Sequence, residues 1–384
     1  MARLIRTVIK RFFIIANCIV VVFFGMACLN AFLHPAKWWF IAFTGLAFPF
    51  LLVLVFGFFI FWLVFRSKWA LLPLLAMVAG YSNIRALLGF NYGSTFPEKK
   101  TSPAHIRVMS WNVHAYTGQV KKSDSANHER NDILKFIRQK EPDIICMQEF
   151  IEIRHKTFFS NVQDIQALGY LYHYRVTDYE RRKDNFQLGV VIFSKYPIID
   201  SIHFRYPGPQ KYRASESLIG ADIKINNDTI RVYNTHLQSV LFGDDEFRKL
   251  EIIKNVEDSL ADASRSIVRK LKLGYSYRGD QVDIVRRELD ASAYPEIICG
   301  DFNDIPNSYT YFRVKGDRQD AFQEKGAGIG RTFSSISPTL RIDYIMADKQ
   351  FEVTGYKSYV LSYSDHYPVL TDLRLRRQEV NEEQ

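Results

Sequence analysis

Cysteine is scarce in this chain, and its positions exclude several kinds of site. Only four cysteines occur among 384 residues. Cys18 and Cys28 lie in one apolar run, whereas Cys146 and Cys299 lie in apolar, strand-like runs, where a thiol usually acts as a small buried hydrophobe. Their spacing matches neither a disulfide framework nor a zinc site. The low number of cysteines does not determine in which cellular compartment the protein lies.

Acidic residues are almost absent from the first hundred positions, where Glu98 stands alone against ten Lys and Arg. Residues 101–384 carry 40 basic and 40 acidic side chains, so the net charge of +9 belongs to the N-terminal part. The balanced remainder lacks the broad basic field that avid nucleic-acid binding requires, although a local basic patch is compatible with it.

Three long apolar runs fill the first ninety positions. Residues 12–33 and 38–65 contain no charge, and each exceeds the ~20 residues that cross a hydrocarbon core of ~30 Å. Residues 69–84 are shorter and include Pro73 and Gly80, which makes this run the weakest candidate. We therefore predict a transmembrane region of two to three helices over residues 1–90, at about 12–33, 38–65 and 69–88.

The distribution of Lys and Arg predicts the orientation of this region. Four basic residues precede the first run and place the N-terminus in the cytoplasm: Arg3, Arg6, Lys10 and Arg11. With three spans, the chain after residue 100 lies outside the cytoplasm, whereas an interfacial third segment would leave it inside. We predict a multi-pass integral membrane protein whose C-terminal portion is extracytoplasmic.

The rest of the chain alternates strands and helices. Residues 91–104, rich in Gly, Ser, Thr and Pro, are predicted to be a linker, 105–375 a layered domain, and 376–384 a polar tail. The predicted strands are 105–114, 142–150, 170–177, 186–194, 217–225, 229–236, 295–299, 341–347, 352–361 and 367–374. Helical spacing marks 128–140 and about 245–290. Apolar strands mixed with covering helices favour an α/β domain with buried sheet faces.

Polar side chains end or occupy six of these strands. They are Asn112, Glu149, His236, Asp301 with Asn303, Asp343, and Asp365 with His366. Taken singly, each is most simply a turn residue, and Asp343 could form a structural ion pair with Arg341. A buried carboxylate such as Glu149 is nevertheless unusual, since unpaired charge is rarely buried. The six together indicate one shared site.

In chain order, the motifs WN, QE, NTHL, GDFN, RIDY and SDHYP resemble the endonuclease/exonuclease/phosphatase superfamily, the DNase I-like metal-dependent phosphoesterases. The resemblance covers residues 105–375 and suggests a membrane-anchored, bacterial-type member. It implies an α/β fold of the α+β type. Two packed mixed β-sheets flanked by helices would form a four-layered sandwich, preceded by the transmembrane helices. It also implies a hydrolase acting on phosphoric ester bonds.

The resemblance further implies a metal site. Glu149 would be the principal ligand, Asn112 would assist it, and Asp365 would lie at or behind the metal. These hard oxygen ligands suit Mg²⁺, which favours carboxylates and keeps several waters, and Mn²⁺ is a further candidate. His114, two residues after Asn112, is expected to be outside the ligand set.

The same resemblance implies the catalytic roles. Asp301 would orient or deprotonate the attacking water, and Asn303 would bind a phosphate oxygen. His366, held by Asp343 in a carboxylate–imidazole pair, would contact the phosphate or act as acid–base. His236 would donate to the phosphate or to the leaving group.

Two positions leave alternatives open. Some superfamily members carry an Arg or Tyr that grips the phosphate on a central strand. Here Arg213 is nearby, but Glu216 or Ser217 occupies the corresponding position. Arg331, in the loop GAGIGRTFSS, could contact phosphate or belong to a surface turn.

Three functions are compatible with the sequence. The first is a membrane-anchored phosphoesterase acting on a lipid headgroup or small phosphodiester. The second is a membrane-tethered endo- or exonuclease, and the third is a catalytically retired binding module. The intact set of polar residues argues against the third. The expected partners are a phosphoester substrate, either lipid headgroup or nucleic acid, and the membrane, while no protein partner is evident.

Overall fold

The chain forms two compact units. A computed structural model describes residues 1–114, 128–153, 158–181, 185–207, 216–240, 260–335 and 337–376. One unit comprises Met1–Leu88, Val240–Asp280 and Asp304–Arg313. The other comprises Gly89–Ser239, Gln281–Asn303 and Val314–Gln384. The domain boundaries expected from the sequence stay a prediction.

The N-terminal unit opens with apolar helices. They are α1 (Ala2–Leu29), α2 (Trp39–Leu46), α3 (Phe48–Val64), α4 (Leu71–Ala79) and α5 (Tyr81–Leu87). Among the described residues, α1 is the one helix long and apolar enough by itself to cross a membrane. The number rises to three if α2 with α3, and α4 with α5, each form one bent span.

The second and third apolar runs are each bent by 64°, so residues 38–65 form two helices instead of one. Pro49 lies in the first turn of α3. A proline lacks the N–H that a continuing helix would use, and its ring clashes with the carbonyl four residues earlier, so α2 ends before it. The second bend is at Gly80, where an added Cβ would lie 2.8 Å from Sγ of Cys28. Close helix packing therefore accompanies this bend.

The second unit is built on two six-stranded sheets. The strands of sheet I are β6 (Ile198–Arg205), β7 (Ser217–Ile225), β8 (Asp228–His236), β9 (Glu296–Asp301), β10 (Gln319–Asp320) and β12 (Asp343–Ala347). Those of sheet II are β2 (Ile106–Asn112), β3 (Ile144–Ile153), β4 (Tyr172–Arg181), β5 (Phe186–Ser194), β13 (Phe351–Ser358) and β14 (Val369–Leu375). Sheet I has the order β10-β12-β9-β8-β7-β6, and sheet II has the order β13-β14-β2-β3-β5-β4. A separate pair joins β1 (Gly89–Phe90) to β11 (Ala327–Gly328).

Each sheet is mixed and has one parallel pair, β8 with β9 in sheet I and β2 with β3 in sheet II. The other described pairings are antiparallel. The remaining helices are α6 (His128–Lys140), α7 (Asn161–Ala167), α8 (Leu260–Asp290), α9 (Tyr309–Lys315) and α10 (Ala321–Lys325).

Side-chain alternation along the strands builds the layers. Val108 of β2 packs in the core between the sheets with Val232 of β8, whereas its neighbour Met109 packs with Ile133 and Ile137 of α6. Because both faces of the strands are covered, they read as nearly continuous apolar runs. The predicted architecture of two mixed sheets flanked by helices is confirmed.

Two sequence predictions differ from the observed elements. Ile198–Arg205 forms the edge strand β6, which the sequence analysis did not predict, and the burial along it is only partial. The predicted long polar helix over 245–290 is seen as α8, and its residues 245–259 lie outside the described part of the chain.

Candidate active site

Strand register gathers the polar strand ends at one edge of the second unit. Asp343 on β12, Asp301 on β9 and His236 on β8 are direct partners in a single row across sheet I. In sheet II, Asn112 ends β2 opposite Gln148 of the parallel strand β3. Parallel neighbours place their carboxyl ends at the same edge, which is why residues far apart in sequence meet here.

The carboxylate of Asp301 lies at the centre of this cluster. Its Oδ2 atom accepts a hydrogen bond from Nδ2 of Asn112 at 3.0 Å. The same oxygen lies 3.6 Å from Nε2 of His236 and 3.7 Å from Nε2 of His366. The Asp301 side chain is 1% exposed. Three nitrogen-bearing side chains from three different segments therefore converge on one buried oxygen.

Glu149 occupies a β-bulge in β3, where the register with β5 shifts between Met147 and Phe150. Its φ of 52° lies in the left-handed region, which is costly for a residue other than glycine and is found mainly where a site requires it. Its Oε1 lies 3.2 Å from Nδ2 of Asn112 and 3.9 Å from Nε2 of His236. The side chain is 27% exposed, so this carboxylate opens toward solvent while Asp301 does not.

His366 and Asp343 form a buried pair. Nδ1 of the imidazole lies 3.1 Å from Oδ2 and 3.2 Å from Oδ1 of the carboxylate. The ring of Phe333 lies 4.8 Å from the imidazole, and Oγ1 of Thr332 accepts from the backbone N–H groups of Ile342 and Asp343. Asp343 and Phe333 thus contact the ring, and its Nε2 atom lies 3.7 Å from Oδ2 of Asp301.

Burial and charge together set the protonation of this pair. Burial raises the pKa of Asp343 to about 6, against the opposing attraction of His366 and hydrogen bonds from His366 and Thr332. Burial also disfavours the imidazolium form of His366, but the carboxylates of Asp343 and Asp301 outweigh it and raise its pKa to about 10. The two neighbouring carboxylates therefore favour the protonated form of His366.

Asn303 closes the loop that follows β9. Its backbone N–H donates to Oδ1 of Asp301 at 2.8 Å, and its Nδ2 donates to the carbonyl of Leu237 at 2.9 Å. With a φ of 51°, it adopts the left-handed conformation that asparagine tolerates better than most residues. The loop thus holds the Asp301 carboxylate from the side opposite Asn112.

Asp365 lies one residue from the buried pair and contacts His114, whose Nδ1 is 3.3 Å from its Oδ1. The backbone N–H of His114 donates to Oδ1 of Asn112 at 3.0 Å. The side chains of Asp365 and His114 are 30% and 57% exposed. The structure therefore links Asp365 to the site through His114.

A family model described as "Endonuclease/Exonuclease/phosphatase family" matches residues 109–366, which include every residue of this cluster. The chain belongs to the endonuclease/exonuclease/phosphatase family. Members of this family are hydrolases of phosphoester bonds and are generally dependent on a divalent metal. A second model, described as a domain of unknown function, matches residues 10–87. A search of curated proteins gave no match.

Solved structures with a similar fold include members of this family. An endonuclease/exonuclease/phosphatase from Beutenbergia cavernae DSM 12333 has a TM-score of 0.51 and 20% identity, over 71% of this chain and 72% of that one. The human Nocturnin catalytic domain has a TM-score of 0.49 and 18% identity, over 75% and 99% of the two chains. A mannosyl-6-phosphatase from Bacteroides thetaiotaomicron VPI-5482 has a TM-score of 0.47 and 17% identity, over 70% and 99%. At 20% identity, the first likeness concerns the fold alone.

The donor set of this family member fits a hard divalent cation. Carboxyl groups of Glu149, Asp301, Asp343 and Asp365 lie in or beside the cluster, while the buried thiols of Cys146 and Cys299 are part of the core between the sheets. Carboxylate oxygens without thiolates suit a hard divalent cation and do not form a cysteine-based zinc site.

Two positions for such a cation can be distinguished within the described residues. Ligand atoms of Asp301, Asp343 and His366 lie within 4.8 Å of one another, but Asp343 and His366 are already paired and their side chains are almost fully buried. Glu149 is partly open to solvent. A magnesium ion keeps several waters, so the Glu149 side has the room that the buried pair lacks.

Several contacting residues were not singled out from the sequence. Oγ of Ser364 donates to the carbonyl of Asn112 and accepts from the N–H of His366, and Nε1 of Trp111 donates to the carbonyl of His366. Thr332 and Phe333 also escaped notice. All four lie within or beside quoted motifs, but their roles depend on backbone contacts between distant segments, which residue type does not signal.

The structure places three of the residues whose roles the sequence left open. Arg331 donates through Nε to the carbonyl of Phe333 in its own loop. Arg341 pairs with Asp320 at 2.8 Å, which leaves Asp343 to His366. Ser217 is buried at the start of β7 and its hydroxyl lies 3.1 Å from Nε2 of His203, whereas Arg213 lies outside the described residues.

Proposed function

We propose that this protein is a membrane-anchored, divalent-metal-dependent phosphoesterase that hydrolyses phosphodiester or phosphomonoester bonds through attack by water. The observation that carries the proposal is the convergence of Asn112, His236 and His366 on Oδ2 of Asp301. A phosphoester resists attack because it is anionic. Hydrolysis therefore requires charge neutralisation, an aligned water and a proton for the leaving group.

The metal would be held by Glu149, with assistance from Asn112 and with Asp365 at or behind it. When bound, Mg²⁺ or Mn²⁺ would neutralise charge on the phosphoryl oxygens. In this structure Asn112 donates to both Glu149 and Asp301, so one amide fixes the spacing of the two carboxylates. Loss of this amide would remove the hydrogen bond that each carboxylate accepts from it, while Asp301 would keep the bond from the N–H of Asn303.

The remaining residues act on water and on the phosphate. Asp301, held at Oδ1 by the N–H of Asn303, would orient or deprotonate the attacking water through Oδ2. The carboxylates of Asp343 and Asp301 favour the protonated form of His366, which would contact the phosphate through Nε2 or act as acid–base. His236 would donate to the phosphate or leaving group. Asn303 would bind a phosphate oxygen, and the second hydrogen of its Nδ2 is the donor available for this role.

We further propose that the N-terminal region crosses the membrane three times, with α2–α3 and α4–α5 each acting as one bent span. The catalytic unit would then be extracytoplasmic. A phosphatase reporter that is active only outside the cytoplasm, fused to the C-terminus of the full chain, tests this topology. An inactive reporter on a chain that is stably inserted would contradict the three-span arrangement.

The catalytic proposal is tested with the full chain in detergent micelles and bis-p-nitrophenyl phosphate as substrate. We expect turnover with Mg²⁺ or Mn²⁺, its loss in EDTA, and its recovery on adding the metal back. Asp301→Asn should abolish turnover. Asp222→Asn is the matched control, because Asp222 pairs with Arg231 and lies toward the end of β7 that is away from the catalytic cluster. No turnover of any phosphoester by the folded wild-type chain would favour a binding module.

The proposed substrate class is a lipid headgroup or another small phosphodiester, because the proposed membrane anchor would hold the enzyme beside lipid and residues 101–384 carry no net positive charge. Parallel assays on sphingomyelin, phosphoinositides and plasmid DNA separate this class from nucleic acid. Cleavage of DNA alone would identify the protein as a membrane-tethered nuclease.

A further inference from the structure

A basic cavity of about 510 Å³ lies in the same unit as the catalytic cluster. It is formed by the segment after β1, the end of α10, the loop 326–331, the end of β13 and Tyr367. Its volume is in the range of small-molecule sites. Three cations line it, Lys325, Arg331 and Lys357, and the described lining residues include no carboxylate.

Within the described part of the chain, the cations of the cavity form no close ion pair, although Glu98 attracts Lys357 and Glu352 attracts Lys325 at longer range. Among the described residues, no carboxylate lies within ion-pair distance of Lys325, Arg331 or Lys357. Glu352, on the same strand as Lys357, is paired with Arg374, and Glu98 is paired with Lys140. The described lining therefore carries three positive charges and no negative one, and a bound anion would supply the opposite charge.

The loop that forms the cavity wall has a fixed conformation. A Cβ on Gly326 or on Gly330 would lie 2.3 Å from the ring of Phe322, so these glycines permit close packing of the loop on that ring. The guanidinium of Arg331 is oriented by the carbonyls of Phe333 and Ser334 in its own loop. The cation is thus positioned before any ligand arrives, which lowers the entropic cost of binding.

The mouth of the cavity is aromatic and aliphatic as well as basic. Tyr92 is 77% exposed and Val360 is 78% exposed, and both line the cavity. In the chain, Tyr92 follows Leu87, the end of α5, by five positions. Basic and aromatic side chains so close in sequence to an apolar segment are typical of a membrane–water interface.

The cavity adjoins the catalytic cluster without sharing its side chains. The N–H of Tyr367 donates to the carbonyl of Thr332 at 2.7 Å, and Phe333 bridges to His366. Arg331 and Tyr367 are therefore the immediate chain neighbours of Thr332 and His366. The cavity wall is therefore connected through the backbone to the Phe333–His366 bridge beside the catalytic imidazole.

We propose that this cavity binds a phosphate-bearing group, with Lys325, Lys357 and Arg331 as its cationic contacts. The group could be the headgroup of an anionic phospholipid or a soluble phosphate compound. Lysine ammonium and arginine guanidinium groups both make charge-assisted hydrogen bonds to phosphate oxygens. The proposal concerns binding outside the catalytic cluster and does not depend on turnover.

The test measures binding by calorimetry to the full chain in detergent micelles with EDTA, so that no metal contributes. The probes are inorganic phosphate, dihexanoyl phosphatidylglycerol and, as the zwitterionic comparison, dihexanoyl phosphatidylcholine. We expect phosphatidylglycerol to bind. The double variant Lys325→Gln/Lys357→Gln should weaken this binding about tenfold, since it removes two of the three cationic contacts. Lys224→Gln, which removes one charge at the β7–β8 hairpin, should bind as the wild type does.

The arms identify the source of the phosphate. Binding of phosphatidylglycerol without inorganic phosphate supports a lipid headgroup, and binding of inorganic phosphate that is lost in the double variant supports a soluble ligand. Absence of binding to the wild type below about 10 mM of either anionic probe would overturn the proposal. Equal binding by the wild type and the double variant would overturn it as well, because the anion would then occupy another site.

Discussion

Nδ1 of His366 lies 3.1 Å from Oδ2 of Asp343, and the two residues come from different sheets of the sandwich. Asp343 begins β12 in sheet I, whereas His366 precedes β14 in sheet II. The pair therefore exists only when both sheets are assembled and in register. The other ring nitrogen of His366, Nε2, is directed at Asp301.

Replacing Asp343 with asparagine tests whether this pair positions the imidazole. The amide keeps the shape but removes the charge that, with Asp301, holds His366 protonated. We expect Asp343→Asn to lower kcat about 100-fold or more with little change in KM, because Asp343 is buried behind the imidazole. Steady-state kinetics on bis-p-nitrophenyl phosphate measure both constants. A kcat within about twofold of the wild-type value would contradict the assigned role.

Glu149→Gln tests the proposed metal ligand. The amide is a weaker ligand than the carboxylate, so the Mg²⁺ concentration for half-maximal activity should rise about 10- to 100-fold. Glu152→Gln is the matched control, since Glu152 lies on the same strand and accepts from the N–H of Val162 at 3.1 Å. An unchanged metal requirement in Glu149→Gln would place the metal elsewhere, and the cluster of Asp301, Asp343 and His366 would be the next candidate.

Thr332→Val tests the loop that supports the buried pair. The hydroxyl accepts from the N–H groups of Ile342 and Asp343, so its loss should cost about 1–3 kcal/mol of stability and also lower kcat. Thr371→Val removes a buried hydroxyl that donates to the carbonyl of Gly355 and should affect stability alone. Urea unfolding and turnover are measured on both variants. Equal kcat values in the two would show that the Thr332 contact is structural only.

Arg107→Met tests a buried ion pair that supports sheet II. The guanidinium makes two bonds of 2.8 Å to Asp372 and further bonds to the carbonyls of Pro97, Glu98 and Lys140. Removing it leaves the Asp372 carboxylate buried and unpaired, which should lower the free energy of unfolding by about 3–5 kcal/mol. The double variant Arg107→Met/Asp372→Leu should recover much of that loss. A single-variant loss below about 1 kcal/mol in urea unfolding would refute this account.

The local sequence pattern was sufficient to predict the sheet strands that carry the catalytic cluster. The apolar strands that end in Asn112, His236 and Asp301 were predicted close to their observed bounds, because burial on both faces leaves a continuous apolar run followed by a polar residue. The strand β6 was missed, since it lies at a sheet edge and is only partly buried, which leaves no such run. The sequence contains Pro49 and Gly80, but it did not predict the 64° bends at these two positions.

The sequence predicted neither the β-bulge at Glu149 nor the residue that contacts Asp365. A bulge exists only relative to the strand opposite, here β5, and no local pattern reports that register. Asp365 was expected beside the metal, and its observed contact is His114, a residue about 250 positions away in the chain. The ligand role of Asp365 stays a prediction.

The sequence by itself determined which residues are available: the apolar runs near the N-terminus, the strands, and the acids, amides and imidazoles at their ends. These follow from short-range rules, because hydrophobic periodicity and turn chemistry act over a few residues. Only the tertiary structure decided that Arg341 pairs with Asp320, that Asp343 pairs with His366, and that Asp301 becomes the common neighbour of three nitrogen-bearing side chains. Those choices depend on the register within each sheet and on the packing of one sheet against the other, which join segments separated by up to 250 residues.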